Sequence, residues 1–273
     1  MNAVRTDQCK MFLMKKISIF LSLVWLFVNE TTQEPGICFY GEEAWTQAKD
    51  YFTQPSTCHD GRPIDCNDIS DKCPSGVYKV FPKQTQGVDV YCEMNLDEGH
   101  WTVFQKRENG FIDFYLGWND YKSGFGSPKH EFWLGNENLH SLTSQGNYEM
   151  RIDLIDFDGN TAFAKYKVFA IGDESSKFKL TANGYYGTAG NGLEYHNGNR
   201  FSTKDSDNDN DHTHCAIVYH GAWWFDACVK ADLNGQYFLK TPVAPHRGVY
   251  WRAWKGTNYT LKGSSMMMRR FSI

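Results

Sequence analysis

The sequence lacks the short motifs that identify many enzymes and nucleic-acid-binding proteins. It contains no G-x-S-x-G, no H-E-x-x-H and no glycine-rich phosphate loop ahead of a helix, so no catalytic site can be named. It has no C-x-x-C, which leaves neither a redox motif nor a zinc ribbon. The net charge is −4, without the basic stripe that a nucleic-acid partner requires. We therefore predict a binding protein rather than an enzyme, with no nucleic-acid partner.

Repeats and long apolar runs are also missing. No heptad pattern, Gly-X-Y stretch or longer repeat occurs, which argues against coiled coils, collagen and solenoids. The apolar run from Ile17 to Val28 follows Lys15 and Lys16 and is too short for a membrane-spanning helix, which needs roughly 20 residues. A charged segment before a short apolar run is typical of a secretory signal. We expect a signal peptide at residues 1–28, with Met14 as an alternative start, and secretion without a membrane span.

The chain contains eight cysteines, most of which should pair after export. Cys9 precedes or lies within the expected signal, and the remaining odd number predicts one thiol that is free or bridges to another chain. The remaining cysteines are Cys38, Cys58, Cys66, Cys73, Cys92, Cys215 and Cys228. Two N-x-[ST] sequons make Asn29 and Asn258 candidate glycosylation sites.

The chain is rich in aromatic residues, at 16 %, and contains 24 glycines, which favours a core of rings joined by tight turns. Residues 29–63 form a polar lead-in with extra cysteines. Period-two alternation then predicts strands at Gly76–Phe81, Val88–Cys92, Trp101–Phe104, Tyr148–Leu154 and Ala162–Phe169. Glu137–Leu142 is a candidate helix. From about Lys177 the strand signals fade, which predicts a loop-built region organised by a metal, a disulfide or both.

Four carboxylates lie within the seven residues from Asp205 to Asp211. They repel one another and need a counter-charge, and Ca²⁺ prefers hard oxygen ligands of this kind. The spacing is not that of an EF-hand, and a solvated acidic turn is the alternative. The following His212, His214 and Cys215 suggest zinc only if the thiolate is free, whereas export favours a disulfide between Cys215 and Cys228.

Several segments together resemble the C-terminal domain of fibrinogen. They include Ser75–Tyr78, Trp101–Arg107, Glu131–Glu137, FSTKD at Phe201–Asp205, GAWWFDAC at Gly221–Cys228 and Leu233–Gly235. The similarity runs in order from about Ile64 to Phe271. It implies an α+β domain at residues 64–273, with a small disulfided N-terminal part, a central twisted antiparallel sheet with short helices, and a loop-rich calcium-binding C-terminal part.

The resemblance also implies specific cysteine pairs and calcium ligands. The implied disulfides are Cys66–Cys92 and Cys215–Cys228. The implied Ca²⁺ ligands are the carboxylates of Asp207 and Asp209 and the main-chain carbonyls of Asp211 and Thr213. The other cysteines have no counterpart in the family. They leave open a Cys58–Cys73 bridge, a Cys38–Cys73 bridge, or a bridge between chains that would produce a homo-oligomer.

A ligand pocket beside the calcium site is implied as well. Its candidate residues are Tyr219, Ala227, Cys228, Val229, Pro245, His246 and Thr257. In lectins of this family a cis peptide precedes the second cysteine and a histidine follows it. Here the matching peptide is Ala227–Cys228, whereas Val229 replaces the histidine, and His246 is a candidate to supply an imidazole from the opposite wall.

The nearest subgroups by resemblance are the ficolin and tachylectin type lectins and the angiopoietin-like ligands. The leading hypothesis is a secreted, calcium-dependent lectin that binds acetylated or other surface glycans in innate defence. Valine at position 229 favours the alternative, a protein ligand of a cell-surface receptor. A structural role in a clot or matrix ranks third, because the acidic residues of a fibrin polymerisation pocket are absent near Tyr219 and His246.

Overall fold

The fold is built on an antiparallel sheet whose strands carry the period-two pattern of the sequence. The computed structural model describes residues 58–59, 61–83 and 85–271, all within the unit Pro55–Ile273. The predicted signal peptide and nearly all of the polar lead-in, with Cys9, Asn29 and Cys38, lie outside the described residues. Within the described ranges, no helix is long and apolar enough to cross a membrane.

The strands, in chain order, are β1 (Gly76–Val80), β2 (Val88–Glu93), β3 (Trp101–Arg107), β4 (Phe125–Gly126), β5 (Phe132–Trp133), β6 (Asn147–Ile155), β7 (Thr161–Ile171), β8 (Leu180–Gly187), β9 (Ala231–Asp232), β10 (Tyr250–Trp251) and β11 (Gly263–Phe271). The helices are α1 (Trp118–Ser123), α2 (Asn136–Thr143), α3 (Cys215–Tyr219) and α4 (Arg252–Lys255). Short 3-10 turns lie at Cys66–Asp68 and Glu174–Ser176.

The main sheet has the strand order β1-β2-β3-β11-β6-β7-β8, with β5 on β3 and β4 on β5, and every pair is antiparallel. The last strand therefore occupies the centre, where Met268 pairs with Thr102 on one side and Met150 on the other. On β6 the alternate side chains are buried while their neighbours are half-exposed. One face of the sheet thus covers the core, as the alternation predicts.

The region after about Lys177, predicted to be loop-built, also contains the long strands β8 and β11, which the sequence analysis does not predict. The edge strand β8 leaves Asn183 and Gly184 exposed, so burial imposes no apolar alternation on it. The central strand β11 is covered on both faces along Met266–Met268, and a continuous buried run carries no period-two signal.

Three disulfides tie the described chain together. Cys66 is joined to Cys92 and Cys215 to Cys228, the two pairs that the family resemblance implies. Of the alternatives left open, the structure contains Cys58–Cys73. All cysteines in the described part are therefore paired, and the predicted interchain bridge can involve only residues outside it.

Two buried polar side chains on β3 attach the loop-built C-terminal part to the sheet. Gln105 donates from Nε2 to the carbonyl of Leu233 at 2.9 Å and to Oδ1 of Asn234 at 3.2 Å. Arg107 donates from Nη1 to the carbonyls of Leu233 and Gly235, at 3.0 and 2.9 Å. These carbonyls belong to a segment without a strand partner, so side chains supply the hydrogen bonds that a sheet would otherwise provide.

The charge of Arg107 is compensated inside the core. Its Nε lies 3.6 Å from the carboxylate of Glu131, and its guanidinium stacks 3.8 Å from the ring centroid of Phe114. Glu131 also accepts main-chain hydrogen bonds from Glu108 and Ile112, at 3.0 and 3.1 Å. Burial lowers the pKa of Arg107, and the nearby acids, Glu131 among them, oppose that shift.

A left-handed turn precedes β3. Asp97, Glu98, Gly99 and His100 all have positive φ, from 49° to 75°. The turn is held from several sides: Lys165 contacts the Asp97 carboxylate at 2.6 Å, and the two ring nitrogens of His100 contact the Cys66 carbonyl and Asp71. The Glu98 side chain, by contrast, is 85 % exposed and has only a 3.6 Å contact with Arg269. Glu98 thus carries backbone strain without a strong compensating contact.

Replacing Glu98 with glycine is expected to stabilise the domain, because glycine adopts positive φ without a steric cost. We expect a gain of about 0.5–1 kcal/mol, or roughly 1–4 °C in the midpoint of thermal unfolding. The control is Glu98→Ala, which removes the same carboxylate and keeps the strain. If both variants unfold at the same temperature, the backbone explanation is wrong.

Candidate functional site

The predicted site lies over a layer of buried aromatic residues. Trp223, Trp224 and Phe225 are completely buried, and the indole Nε1 of Trp224 donates to the carbonyl of Phe178 at 2.7 Å. Trp223 pairs with Ser202 as an isolated bridge, which joins this layer to the segment that leads into the acidic loop. The rings therefore position both the acidic loop and the residues around Cys228.

The acidic loop is folded around Asp209. One carboxylate oxygen of Asp209 accepts the main-chain N–H of Asp211 at 3.0 Å, and the other accepts that of Cys215 at 3.0 Å. The carboxylate of Asp207 in turn accepts the N–H of Asp209 at 3.3 Å. These contacts bring the two predicted carboxylate ligands close together at the start of α3.

Their proximity is electrostatically unfavourable without a cation. Burial, together with the negative charge of Asp207, raises the pKa of Asp209 to about 6. A divalent cation between the two carboxylates would reverse this penalty. The residues therefore fit the ion that the family resemblance implies.

The remaining predicted ligands are main-chain carbonyls. The Asp211 side chain is turned toward Thr213, whose N–H and hydroxyl it accepts at 2.8 and 2.7 Å. Among the described residues, no group donates a hydrogen bond to the carbonyl oxygens of Asp211 or Thr213. No group of three or more His, Cys, Asp or Glu side chains in the described ranges could hold a metal. The predicted calcium site uses only two carboxylate side chains, with two main-chain carbonyls as the other ligands. Calcium binding here remains a prediction.

Zinc is excluded at Cys215, because the disulfide to Cys228 removes the thiolate that zinc would need. His212 is exposed, whereas His214 is turned inward with Nε2 4.0 Å from Asp207. The two histidines therefore do not converge on Cys215 as a metal site would require.

The disulfide links the acidic loop to one wall of the predicted ligand pocket. The Ala227–Cys228 peptide is cis. The N–H of Ala227 donates to the hydroxyl of Tyr195 at 3.2 Å, and the N–H of Asp226 donates to the Cys228 carbonyl at 3.0 Å. This wall is thus fixed by Tyr195, which the sequence did not single out.

The opposite wall brings an imidazole against Tyr219. The rings of Tyr219 and His246 are perpendicular, with centroids 6.3 Å apart, and the Arg247 guanidinium lies 5.9 Å from the Tyr219 centroid. The Nδ1 atom of His246 lies 2.8 Å from the hydroxyl of Tyr250. In the described part of the chain, Nε2 of His246 has no hydrogen-bond partner.

The local environment sets the protonation states of the His246 imidazole and the Tyr250 hydroxyl. Burial, with the nearby Arg252 guanidinium, lowers the pKa of His246, so the ring is neutral at neutral pH. Burial raises the pKa of Tyr250 to about 12, so its hydroxyl keeps its proton. The pair can therefore present one donor and one acceptor to each other without charge.

The other predicted pocket residues contribute less. Val229 is only 8 % exposed. Thr257 uses its main-chain carbonyl to accept the N–H of His246 at 2.7 Å, while its side chain is bonded to Asn258. Pro245 is exposed at the edge. The structure therefore brings together Tyr219 and His246, and leaves Val229 and the Thr257 side chain outside their contact.

His196 is a buried organiser of this region that residue type alone does not reveal. Its Nδ1 lies 2.8 Å from the Trp224 carbonyl, and its Nε2 accepts the N–H groups of Lys230 and Ala231, at 3.1 and 2.9 Å. Burial lowers its pKa to about 4, so the ring is neutral. The only sequence signal for the role of His196 is a histidine among glycines and asparagines, and this signal is weak.

Cavities lie at several places in the described part of the chain. One of about 420 Å³ is lined by Thr241, Pro242, Lys255, Thr257, Asn258 and Tyr259. A second, of about 770 Å³, lies on strands β3, β6, β7 and β11, and a third, of about 440 Å³, lies beside Arg270. Only the first adjoins the predicted pocket, through Thr257.

Comparison with known families agrees with this architecture. The family described as the C-terminal globular domain of fibrinogen beta and gamma chains matches residues 62–271. The chain therefore belongs to the fibrinogen C-terminal domain family, as the sequence motifs predict. Domains of this kind generally bind protein or peptide ligands and are generally not enzymes.

Particular relatives share much of the sequence. Fibrinogen C domain-containing protein 1-B of Xenopus laevis is 44 % identical over 225 residues, which cover 79 % of this chain and 49 % of that protein. Fibrinogen-like protein A of Apostichopus parvimensis is 46 % identical over 219 residues, 77 % of each chain. The chain thus spans about half the length of the Xenopus relative.

Solved structures confirm the fold. The fibrinogen-like globe domain of human ANGPTL6 matches with a TM-score of 0.74 and 36 % identity, covering 81 % of this chain and 99 % of that one. Lamprey fibrin D-dimer, complexed with the peptide Gly-His-Arg-Pro-amide, matches with a TM-score of 0.69 and 28 % identity, covering 100 % of this chain and 90 % of that one. The predicted α+β class with a central antiparallel sheet is correct.

Calcium is expected to stabilise this domain through Asp207 and Asp209. At a concentration 100 times the dissociation constant, the gain is about 2.7 kcal/mol, or roughly 5–11 °C in the unfolding midpoint. The measurement is thermal unfolding with calcium and with a chelator. The double variant Asp207→Asn with Asp209→Asn should lose the calcium response, because it keeps the side-chain volume and removes the charge.

The matched control for calcium is Asp211→Asn. Its side chain faces Thr213 rather than the carboxylate pair, so the calcium response should persist. A parent protein with the same midpoint in calcium and chelator would contradict the prediction.

Proposed function

We propose that this chain is an exported, calcium-supported recognition module that binds acetylated glycans beside the packed rings of Tyr219 and His246. The observation that carries the proposal is the His246 imidazole, which packs edge-to-face with Tyr219, centroids 6.3 Å apart, and has its Nδ1 engaged by Tyr250. Export is supported by the three disulfides, which persist in oxidising compartments.

The arrangement supplies a directed hydrogen-bond donor. When the Tyr250 hydroxyl donates to Nδ1 of His246, the neutral imidazole carries its hydrogen on Nε2. That N–H suits the carbonyl oxygen of an acetyl group, and the Tyr219 ring offers an apolar surface for the acetyl methyl. His246 thereby replaces, from the other wall, the histidine that the related lectins carry at the position of Val229.

A second function, binding to a protein receptor, is favoured by a different observation. On α3, next to Tyr219, Ile217 is 47 % exposed and Val218 is 39 % exposed. Adjacent exposed apolar side chains beside an aromatic residue and an arginine are typical of protein-binding centres. A glycan site does not need them.

Removal of the imidazole is expected to weaken binding to N-acetylglucosamine about two- to tenfold, the value of one hydrogen bond. The variant is His246→Asn, because asparagine tolerates the φ of 62° at this position. Tyr250→Phe should weaken binding in the same direction, since it releases Nδ1 and no longer orients the donor. Binding is measured in calcium on immobilised N-acetylglucosamine, with glucosamine as the unacetylated reference.

The matched control is His220→Asn, which also has a left-handed backbone, with φ 54°, and whose ring packs on Tyr115. It should bind like the parent. A parent protein that does not distinguish the acetylated sugar from glucosamine would rule out the acetyl-binding function.

The double variant Ile217→Ser with Val218→Ser separates the two functions. If the chain binds acetylated glycans, its affinity for N-acetylglucosamine should stay within about twofold, because neither side chain takes part in the donor geometry. If the chain is a receptor ligand, the variant should instead lose binding to cells from which surface glycans have been removed enzymatically. The two measurements are made on the same preparations.

A further inference from the structure

The cavity of about 420 Å³ lies between two segments of the chain that run side by side. One segment contains Thr241 and Pro242, and the other runs from Lys255 to Tyr259. The N–H of Val243 donates to the Asn258 carbonyl at 3.0 Å, which joins the segments. The volume falls in the range of small-ligand pockets, about 300–1,000 Å³.

The walls of the cavity are fixed by contacts behind it. The hydroxyl of Tyr259 accepts the N–H of Phe157 at 3.1 Å. The ammonium of Lys255 is held by the buried Asp156 at 2.5 Å and lies 5.1 Å from the Tyr259 ring centroid. The hydroxyl of Thr241, by contrast, is buried and has no hydrogen-bond partner in the described part of the chain. The cavity is therefore an open groove whose Lys255 and Tyr259 side chains are held from behind.

The asparagine in the cavity wall is also the acceptor of a glycosylation sequon. Asn258 is exposed and begins Asn258-Tyr259-Thr260. Its Nδ2 has only a 3.5 Å contact, with the carbonyl of Val243, while its Oδ1 accepts the Thr257 hydroxyl at 2.7 Å. One hydrogen on Nδ2 can therefore be replaced by a sugar without loss of a strong hydrogen bond.

We propose that Asn258 carries an N-linked glycan whose first N-acetylglucosamine packs into this cavity, against Tyr259 and Pro242. The proposal rests on the export part of the proposed function, since glycosylation follows export, and is independent of what the recognition site binds.

The seated sugar would also stiffen the loop that carries His246. The N–H of His246 donates to the Thr257 carbonyl at 2.7 Å, one residue before the glycosylated position. Val243 is bonded to Asn258 itself. Both ends of the segment 243–246 are thus attached to the cavity wall that the sugar would cover.

The test compares three forms of the secreted chain, made with high-mannose glycans in an Asn29→Gln background so that one sequon remains. They are the intact glycoprotein, the protein trimmed by endoglycosidase H to a single N-acetylglucosamine, and Asn258→Gln. The intact and trimmed forms should share one unfolding midpoint. Asn258→Gln should unfold about 2–4 °C lower, and segment 243–246 should exchange amide hydrogens faster in it than in the trimmed form.

A matched pair of variants isolates the contribution of the Tyr259 aromatic ring to packing of the sugar. Tyr259→Phe keeps the aromatic face and Tyr259→Leu removes it, while both lose the hydroxyl. The difference between trimmed protein and Asn258→Gln should persist with phenylalanine and vanish with leucine, and any effect of glutamine itself cancels in this comparison.

Several results would overturn the proposal: an unmodified Asn258 by mass spectrometry, a trimmed form as unstable as Asn258→Gln, or a glycan effect unchanged in Tyr259→Leu. None of these readouts involves ligand binding. Failure to bind N-acetylglucosamine would therefore overturn the acetyl-binding function alone.

Discussion

The loop-built C-terminal part depends on the hydrogen bonds of one buried arginine, Arg107 on β3. Arg107 and its neighbour Gln105 bind the carbonyls of Leu233 and Gly235, in a segment that no strand of the main sheet can serve. Loss of Arg107 would remove its hydrogen bonds to both carbonyls, and a buried acceptor left unsatisfied typically costs about 1–3 kcal/mol. The loop of the proposed ligand site follows this segment directly, so the position of His246 relative to Tyr219 depends on a contact made in the sheet.

Aromatic residues help to satisfy the main-chain groups of the same loop-built region. A loop-built region buries main-chain carbonyls that have no ladder partner, and each must still be satisfied. Trp224 and Trp251 do this by donating from Nε1 to the carbonyls of Phe178 and Ala189. Each ring fills core volume and also supplies a donor, which aliphatic side chains cannot do. His196 acts similarly, and its neutral ring bonds three main-chain groups, those of Trp224, Lys230 and Ala231.

The sequence predicts the parts of the fold where local pattern and burial coincide. Strands such as β6 alternate because one face meets the core, and the candidate helix Glu137–Leu142 is one residue shorter than α2 at each end. Strands β8 and β11 are not predicted, because β8 is exposed at an edge of the sheet and β11 is covered on both faces. In the site, the acidic loop and the cysteine pair are visible locally. Tyr195 and Tyr250 are not, since their roles arise from residues distant in sequence.

The geometry also indicates how calcium can govern a site that it does not contact. Asp209 holds the N–H of Cys215, and Cys215 is bonded through its disulfide to Cys228, at the peptide that forms one pocket wall. Cys215 also begins α3, which ends at Tyr219. A cation that fixes the Asp209 carboxylate would therefore restrain both the Ala227–Cys228 peptide and the Tyr219 ring, through the hydrogen bond to Cys215 and the covalent connections that follow it. Calcium dependence of ligand binding would then follow from positioning, with no calcium–ligand bond.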